Sequence, residues 1–335
     1  MSPPPTPFSH FADRLIERTR ALGHPLCVGL DPHLGMIPPL FRRGTMKRAD
    51  EQTALAVEDF LGAVIDRLAG RVAIVKPQIA FFEELGWRGL RVLDALCRRA
   101  READLMVLLD AKRGDIGSTA EGYAAAYLAR DASMPVDALT INPYLGFDTI
   151  EPFARAAGAA GRGLFVLVKT SNPGSGDLQD REIEGEPLFG RVADGLARMP
   201  EALREPLAGP RTGWSALGVV CGATWPEQAH RVRQALPRAL FLVPGYGAQG
   251  ASAEAALQGF VPGPKGLEGG IVNSSRGILF PETVDRAETG RGGTASVGRI
   301  AGGSDVGQWE RGIDDALDRA IEELGDAVRR GPADV

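Results

Sequence analysis

Eight short apolar segments constrain the fold of this chain more than any other feature of its sequence. They are rich in Val, Ile and Leu, and they span residues 26–30, 72–75, 105–109, 138–141, 164–168, 217–220, 239–243 and 270–272. Continuous apolar runs of this length are typical of strands buried on both faces of a parallel sheet. Helical patterns lie between most of them, at residues 51–68, 88–102, 118–129, 149–157, 187–199, 226–236 and 253–258. This alternation predicts a (β/α)₈ TIM barrel, with a doubly wound open sheet as the less favoured alternative.

Polar residues follow these segments at the same end of each predicted strand. In order along the chain they include Asp31, Lys76, Asp110, Lys112, Asn142, Lys169 and the residues of 273–276. Because the carboxyl ends of barrel strands carry the active site, these side chains are expected to meet at one mouth. Only five of the 38 basic residues are lysines, and three of those five fall at strand ends. This placement favours specific roles for these three lysines.

The composition argues against several classes of function. A net charge of −5 gives no broad attraction to nucleic acid or membranes. The three cysteines and four histidines show no metal-ligand spacing, and no cofactor motif is present. Residues 1–8 lack the features of a signal peptide, and no apolar run approaches the ~20 residues of a membrane span. We therefore expect a cytoplasmic protein without a metal or a cofactor.

The most specific motif follows the third apolar segment, where Asp110, Lys112 and Asp115 are spaced as DxKxxD. Residues two apart in a strand point to the same face, so Asp110 and Lys112 are expected side by side. The alternative interpretation is a salt-bridged strand end, with Asp115 as the N-cap of the next helix. Asp31 and Lys76 are expected in the same cluster. Alternating charges around one pocket favour chemistry over stability, because buried ion pairs add little net stability.

Two glycine-containing segments after the last two apolar runs, VPGYGAQG at 243–250 and IVNSSRG at 271–277, predict a phosphate site. Barrels often hold a phosphate after their seventh and eighth strands, through backbone N–H groups and a helix N-terminus. Arg276 can bind a phosphate through two N–H groups at once. The alternative is a glycine-rich turn beside a surface arginine.

A third segment, KTSNPG at 169–174, begins a polar loop that extends to residue 186. Ser171 and Asn172 are common turn residues, so the simplest interpretation is the start of a loop. The length of the loop also suits a lid over a ligand. A Schiff base at Lys169, as in barrel aldolases, is a further alternative.

Three other segments lie outside the predicted barrel. Residues 204–215 form a connector that contains Pro and Gly, and residues 288–307 are rich in glycine and predicted to be flexible. Residues 309–329 have apolar positions at helical spacing and predict a C-terminal helix that docks on the barrel. We expect residues 1–335 to form one domain, because a barrel with insertions has this length.

Taken in order, the motifs resemble the longer bacterial form of the orotidine 5′-phosphate decarboxylase family. The matching pieces are VGLDP at 28–32, VKPQ at 75–78, DAKRGDIGST at 110–119, KTSNPG at 169–174, PGYGAQG at 244–250 and NSSRG at 273–277. The resemblance implies a TIM barrel that converts orotidine 5′-monophosphate (OMP) to UMP and needs no metal. The chain departs from the shorter family pattern at residues 32–48 and 172–215 and in the tail after Phe280.

The resemblance also implies roles for individual residues. Asp110 would lie against the substrate carboxylate, and Lys112 would protonate C6 of the pyrimidine. Lys76 would contact Asp110 and, with Asp31, bind the ribose hydroxyls. The remaining implied roles are phosphate contacts for Gln249, Arg276 and Tyr246, a pyrimidine contact for Ser171, and entry of Asp115 and Thr119 into the neighbouring subunit's site. A homodimer with shared active sites is therefore expected.

Two rival functions share this scaffold. A sister enzyme acting on a sugar phosphate would need a divalent metal to stabilise an enediolate. A nucleotide-binding barrel without catalysis, such as a sensor, would have no need of a proton donor at Lys112. The DxKxxD motif therefore favours an enzyme.

Overall fold

The computed structural model describes residues 10–247, 251–281 and 306–331, which contain a closed barrel of eight parallel strands. The strands, β1 to β8 along the chain, are Leu26–Leu30, Ile74–Pro77, Met106–Arg113, Ala138–Ile141, Gly163–Lys169, Ser215–Cys221, Ala239–Val243 and Gly270–Ser274. Strand β1 closes the ring, because Val28 pairs with Val75 of β2 on one side and with Ser274 of β8 on the other. The predicted (β/α)₈ barrel is confirmed, and the open doubly wound sheet is excluded.

Helices surround the barrel and lie between its strands. In the described part of the chain the α-helices, α1 to α12, are Phe11–Leu22, Glu51–Leu68, Ala80–Glu83, Gly86–Glu102, Gly117–Tyr127, Glu151–Ala160, Leu188–Ala197, Glu201–Arg204, Pro226–Ala235, Ala253–Ala256, Arg276–Leu279 and Val306–Arg330. Short 3₁₀ helices occur at Leu34–Met36, Pro39–Phe41, Phe147–Ile150, Pro173–Asp177 and Glu205–Leu207. None of the described helices is both long and apolar enough to cross a bilayer.

Helix α1 is an element that the sequence analysis did not predict. Its apolar residues Phe11, Leu15 and Ile16 recur at helical spacing and are buried, and Gly23 ends the helix in the left-handed conformation. The ring of Phe11 packs edge-on against Phe165 of β5, with 6.1 Å between ring centres. Helix α1 therefore covers the barrel near the amino-terminal end of β5, opposite the mouth.

The segments predicted as irregular have local structure of their own. The loop after β5 contains the 3₁₀ helix Pro173–Asp177 and a small antiparallel hairpin of Glu182–Ile183 and Glu186–Pro187. A second hairpin, of Val261–Gly263 and Gly266–Glu268, precedes β8 in a segment for which the sequence analysis made no prediction. Of the segment 288–307 that was predicted to be flexible, all but residues 306 and 307 lie outside the described residues.

The predicted C-terminal helix is confirmed as α12, which is longer than the predicted 309–329. Its Trp309 is buried against Phe41 and Phe60, with ring centres 4.8 and 6.2 Å away. One turn further on, Asp314 accepts a hydrogen bond of 3.1 Å from Nε of Arg67 on α2. Helix α12 therefore docks on α2, through an aromatic contact at its start and an ion pair beyond it.

Candidate active site

The carboxyl ends of β2 and β3 bring a lysine and an aspartate together at the barrel mouth. Nζ of Lys76 donates a hydrogen bond to Oδ2 of Asp110 at 2.9 Å. Lys76 is 5% exposed and Asp110 is 8% exposed, so water solvates neither charge well. Each group depends on its partner, because an unpaired buried charge is costly.

The two charges stabilise each other in spite of burial. Burial by itself lowers the pKa of the Lys76 ammonium, but the nearby carboxylates of Asp110 and Asp31 outweigh it and raise that pKa. Burial by itself raises the pKa of Asp110, but Lys76 and Lys112 outweigh it and hold that pKa well below its usual range. Both groups are therefore charged at neutral pH.

Lys112 lies in an irregular part of β3. The register between β3 and β4 shifts between Leu109 and Arg113, and Lys112 has a φ of 47°, a left-handed conformation that residues with a Cβ rarely adopt. Its Nζ donates to Oδ1 of Asp110 at 2.6 Å, and its side chain is 44% exposed. Asp110 thus binds one buried ammonium and one accessible ammonium, and Lys112 is the one that can reach a ligand.

Thr140 completes this cluster, although the sequence analysis did not single it out. It lies on β4 and is fully buried, and its Oγ1 donates to Oδ1 of Asp110 at 3.0 Å. A threonine within an apolar strand is an ordinary β-forming residue, so the sequence carries no signal for this contact.

Asp31 follows β1, next to the lysine of β2. Gly29 pairs with Lys76 in the β1–β2 register, and the charge of Asp31 contributes to the raised pKa of Lys76. Within the described part of the chain, Oδ1 of Asp31 and Oδ1 of Asn273 are buried acceptors without a hydrogen-bond partner. A Cβ at position 29 would lie 1.9 Å from Oγ of Ser275, so glycine allows the end of β8 to approach β1. These unpaired oxygens suit a ligand that brings hydrogen-bond donors.

Asp115 and Thr119 do not join the charged cluster of this chain. Oδ1 of Asp115 accepts from the N–H of Ile116 at 2.8 Å, and in the described residues no basic group lies within 4 Å of its carboxylate. Ile116, not Asp115, is the N-cap residue of α5, so the N-cap interpretation is wrong. Thr119 is exposed on the first turn of α5.

Two residues of interest lie at the end of β5. Lys169 is its last residue and is buried, and Ser171, which was predicted to contact the ligand, follows two positions later. Nζ of Lys169 donates to Asp180 at 2.6 Å and to Ser175 at 3.3 Å, and its side chain is fully buried. These contacts fix the loop after β5 and leave no accessible amine, which argues against a Schiff base. Ser171 packs closely against Gly222, where an added Cβ would lie 2.9 Å from the Cβ of Ser171.

The residues predicted to bind phosphate lie in different surroundings. Arg276 is exposed at the first residue of α11, directly after β8. Gln249 lies outside the described residues. The hydroxyl of Tyr246 donates to Oε2 of Glu323 on α12 at 2.6 Å, and the Tyr246 side chain is buried. Of these three residues, Arg276 therefore offers an accessible cation, whereas the Tyr246 hydroxyl already has a partner within the protein.

Comparisons with known proteins agree with this geometry. Residues 24–289 match the sequence profile of the orotidine 5′-phosphate decarboxylase / HUMPS family. The chain is 41% identical over 274 residues to the orotidine 5′-phosphate decarboxylase of Rhodopirellula baltica, covering 81% of this chain and 88% of the relative. It is 40% identical over 281 residues to that of Caldicellulosiruptor bescii, covering 81% and 90% of the two chains. The solved structure of Leishmania donovani OMP decarboxylase superposes with a TM-score of 0.67 at 30% identity, covering 96% and 100%.

Proposed function

Because the chain belongs to the orotidine 5′-phosphate decarboxylase / HUMPS family, we propose that it decarboxylates OMP to UMP in pyrimidine biosynthesis. The observation that carries this proposal is the carboxylate of Asp110, bound between the ammonium groups of Lys76 and Lys112 at the barrel mouth. This cluster offers a fixed negative charge and an accessible proton donor side by side. Decarboxylation followed by protonation needs both.

The rest of the nucleotide would bind around this cluster. Asp31 and Lys76 would bind the ribose hydroxyls, and the unpaired Oδ1 of Asp31 supports this role. Ser171 would contact the pyrimidine ring from the loop after β5. Arg276, with Gln249, would bind the phosphate, and the exposed position of Arg276 after β8 supports that assignment.

Loss of CO₂ from C6 of the orotate ring leaves a carbanion with no carbonyl group placed to delocalise its charge. The protein must stabilise that charge electrostatically. The Asp110 carboxylate would crowd the substrate carboxylate, while the Lys112 ammonium would attract the developing charge and then donate a proton to C6. One such contact is worth about 4 kcal/mol at ~4 Å and an effective dielectric constant of ~20, or about three powers of ten in rate. Binding of phosphate and ribose must supply further stabilisation by holding the ring in place.

The first experiment measures loss of orotate absorbance when the purified protein is mixed with OMP, with and without EDTA. We expect conversion to UMP that EDTA does not inhibit. Conversion that requires added magnesium, or activity only on sugar phosphates, would support the metal-dependent sister enzyme. UMP binding without any turnover of OMP would support a nucleotide-binding barrel and refute the proposal.

The proton-donor role of Lys112 is tested by Lys112→Ala, with Lys47→Ala as a matched control at an exposed lysine. We expect Lys112→Ala to lose nearly all turnover and to keep its affinity for UMP, because the phosphate and ribose contacts remain. Lys47→Ala should retain normal kinetics. If Lys112→Ala kept more than about a tenth of the activity, equal to about 1.4 kcal/mol in barrier height, Lys112 would not be the proton donor.

The active site would be completed by a second copy of the chain. The loop of Asp115 carries the exposed Ile116 (62%), and the loop of Asn142 carries the exposed Tyr144 (78%) and Leu145 (52%). The loops that carry them touch, since a Cβ at Gly114 would lie 2.7 Å from the Asn142 carbonyl oxygen. Exposed apolar groups on neighbouring loops are typical of an interface. A homodimer would cover them and bring Asp115 to the partner's Lys112.

Mixing two inactive variants tests this sharing of residues. A dimer of one Asp115→Asn chain and one Lys112→Ala chain contains one intact site, because Lys112 and Asp115 of that site come from different chains. Random exchange of subunits should restore about a quarter of the normal activity. No recovery in a mixture shown by native mass spectrometry to contain mixed dimers would contradict the shared site.

Two further expectations accompany this function. A biosynthetic enzyme of this kind would act in the cytoplasm, and the three cysteines, Cys27, Cys97 and Cys221, are free and buried, as suits a reducing compartment. The docking of α12 on α2 supports the expectation that residues 1–335 form one domain.

A further inference from the structure

Strands β3 and β4 do not pair residue for residue at the active site. Leu109 pairs with Leu139, and the next pair joins Arg113 to Ile141. Three residues of β3, at positions 110, 111 and 112, therefore lie opposite the single residue Thr140. A bulge of this kind leaves backbone N–H groups without their usual partners on the next strand.

The hydroxyl of Thr140 supplies those partners. Its Oγ1 accepts from the N–H of Ala111 at 2.9 Å and from the N–H of Lys112 at 2.9 Å. A hydroxyl has two lone pairs and one hydrogen, so both lone pairs are used and only its hydrogen remains. That hydrogen is directed at Oδ1 of Asp110, 3.0 Å away. The side chain is fully buried, so water does not compete for these bonds.

This arrangement connects Thr140 to both ends of Lys112. At one end it binds the backbone N–H of Lys112, whose φ of 47° is unfavourable for a residue with a Cβ. At the other end it shares Oδ1 of Asp110 with the Lys112 ammonium, which lies 2.6 Å from the same oxygen. The direction of the side chain and the position of its charge partner therefore depend on one hydroxyl group.

We propose that Thr140 is a positioning residue that holds Asp110 and Lys112 in the arrangement needed for decarboxylation. The inference rests on the proposed function, because it concerns the efficiency of the same reaction. Thr140 is fully buried and its hydroxyl binds residues 110, 111 and 112, so it would touch neither ribose nor phosphate. Its loss should therefore affect the chemical step and leave nucleotide binding nearly intact.

The test compares Thr140→Val, which keeps the shape and removes the hydroxyl, with Thr140→Ser, which keeps the hydroxyl. Thr53→Val is a matched control, because Thr53 is also fully buried and donates to a backbone carbonyl, that of Lys47, at 2.8 Å. We expect Thr140→Val to lower kcat for OMP at least about tenfold, equal to about 1.4 kcal/mol, with changes below about threefold in KM and in the Kd of UMP. Thr140→Ser and Thr53→Val should keep kcat within about threefold of the unaltered protein.

Hydrogen exchange of the peptide that contains Ala111 and Lys112 gives a readout that needs no substrate. Exchange should be faster in Thr140→Val than in Thr140→Ser, because only the serine can accept from the two N–H groups.

A Thr140→Val protein with normal kcat, or one whose kcat and KM change together, would overturn the proposal. If the valine variant does not fold, Thr140→Ala removes the hydroxyl without the added methyl group. Absence of OMP turnover in the unaltered protein would instead refute the proposed function, while the exchange comparison would still test the hydroxyl contacts.

Discussion

Replacing Asp110 by asparagine tests how strongly the buried charges at the barrel mouth depend on one another. Asparagine keeps the shape of the side chain but removes its charge, and its NH₂ group would face Lys76 or Lys112, which are also hydrogen-bond donors. Lys76 is 5% exposed and would lose the partner that lies 2.9 Å from its ammonium. Breaking a buried pair by removing one member costs about 3–5 kcal/mol, and we expect the free energy of unfolding to fall by this amount at pH 7. The pair with Lys112 adds little, because that lysine is half-exposed.

The pH dependence of the loss identifies its cause. In the unaltered protein the folded pKa of Lys76 lies above its unfolded value of about 10.4, so its contribution to stability is fully present below that pH. Without Asp110, burial outweighs the remaining charge of Asp31, so the folded pKa of Lys76 should fall below about 10.4. The unfolded state then binds more protons, and the stability of the variant rises with pH. The difference between the two proteins should therefore shrink between pH 7 and pH 10.

Urea unfolding at several pH values measures this difference. Asp94→Asn is a suitable control, because Asp94 forms a surface pair with Arg98 and should change stability by less than about 1 kcal/mol. A destabilisation by Asp110→Asn of less than about 1 kcal/mol at pH 7 would refute the reasoning. A difference that stays constant up to pH 10 would show that the lost energy does not come from the charge of Lys76.

Two further predictions concern residues away from the charged cluster. Tyr246→Phe removes the hydrogen bond to Glu323, so the free energy of unfolding should fall by about 1 kcal/mol with little change in KM. A KM about tenfold higher at unchanged stability would instead show that the hydroxyl binds the phosphate. Burial lowers the folded pKa of His24 below 6.5, so the stability that this residue contributes above pH 6.5 is lost as the pH falls through the folded pKa. Melting temperatures at pH 7 and pH 5 should therefore differ less in His24→Gln than in the unaltered protein, and an equal difference would contradict this role.

The number and order of the barrel strands were predictable because these strands are buried on both faces, and continuous apolar segments indicate such burial. The helix Glu51–Leu68 was predicted to the residue, since Asp50 caps its first turn through a bond of 2.9 Å to Gln52 and its apolar stripe is regular. Strand β3 was predicted to end at Leu109 but continues to Arg113. Its last four residues are mostly polar, and the hydroxyl of Thr140 holds their irregular backbone in place. A contact between residues 30 positions apart leaves no local signal in the sequence.

Contacts in the site were predictable where opposite charges follow neighbouring strands. They were not predictable where a carboxylate from another element binds the side chain. Opposite charges at neighbouring strand ends place Lys76 beside Asp110, as their positions after these two strands and the family resemblance implied. The same logic could not anticipate that Asp180 would bind Lys169, because that carboxylate is carried by the loop after β5. Nor could it anticipate that Glu323 would bind Tyr246, 77 positions earlier in the chain.

Helix α12 makes the folding of a newly synthesised chain depend on residues that are made long after the barrel begins. Asp314 binds Arg67 across 247 positions, and Leu26 of β1 pairs with Val272 of β8. At about 5–20 residues per second, Arg67 would be synthesised about 12–50 s before its partner. During this interval the apolar sides of α2 and β1 lack their covering elements, and such unpaired surfaces are prone to aggregate. Ribosomes that stall before α12 should therefore release chains that chaperones retain and proteases remove.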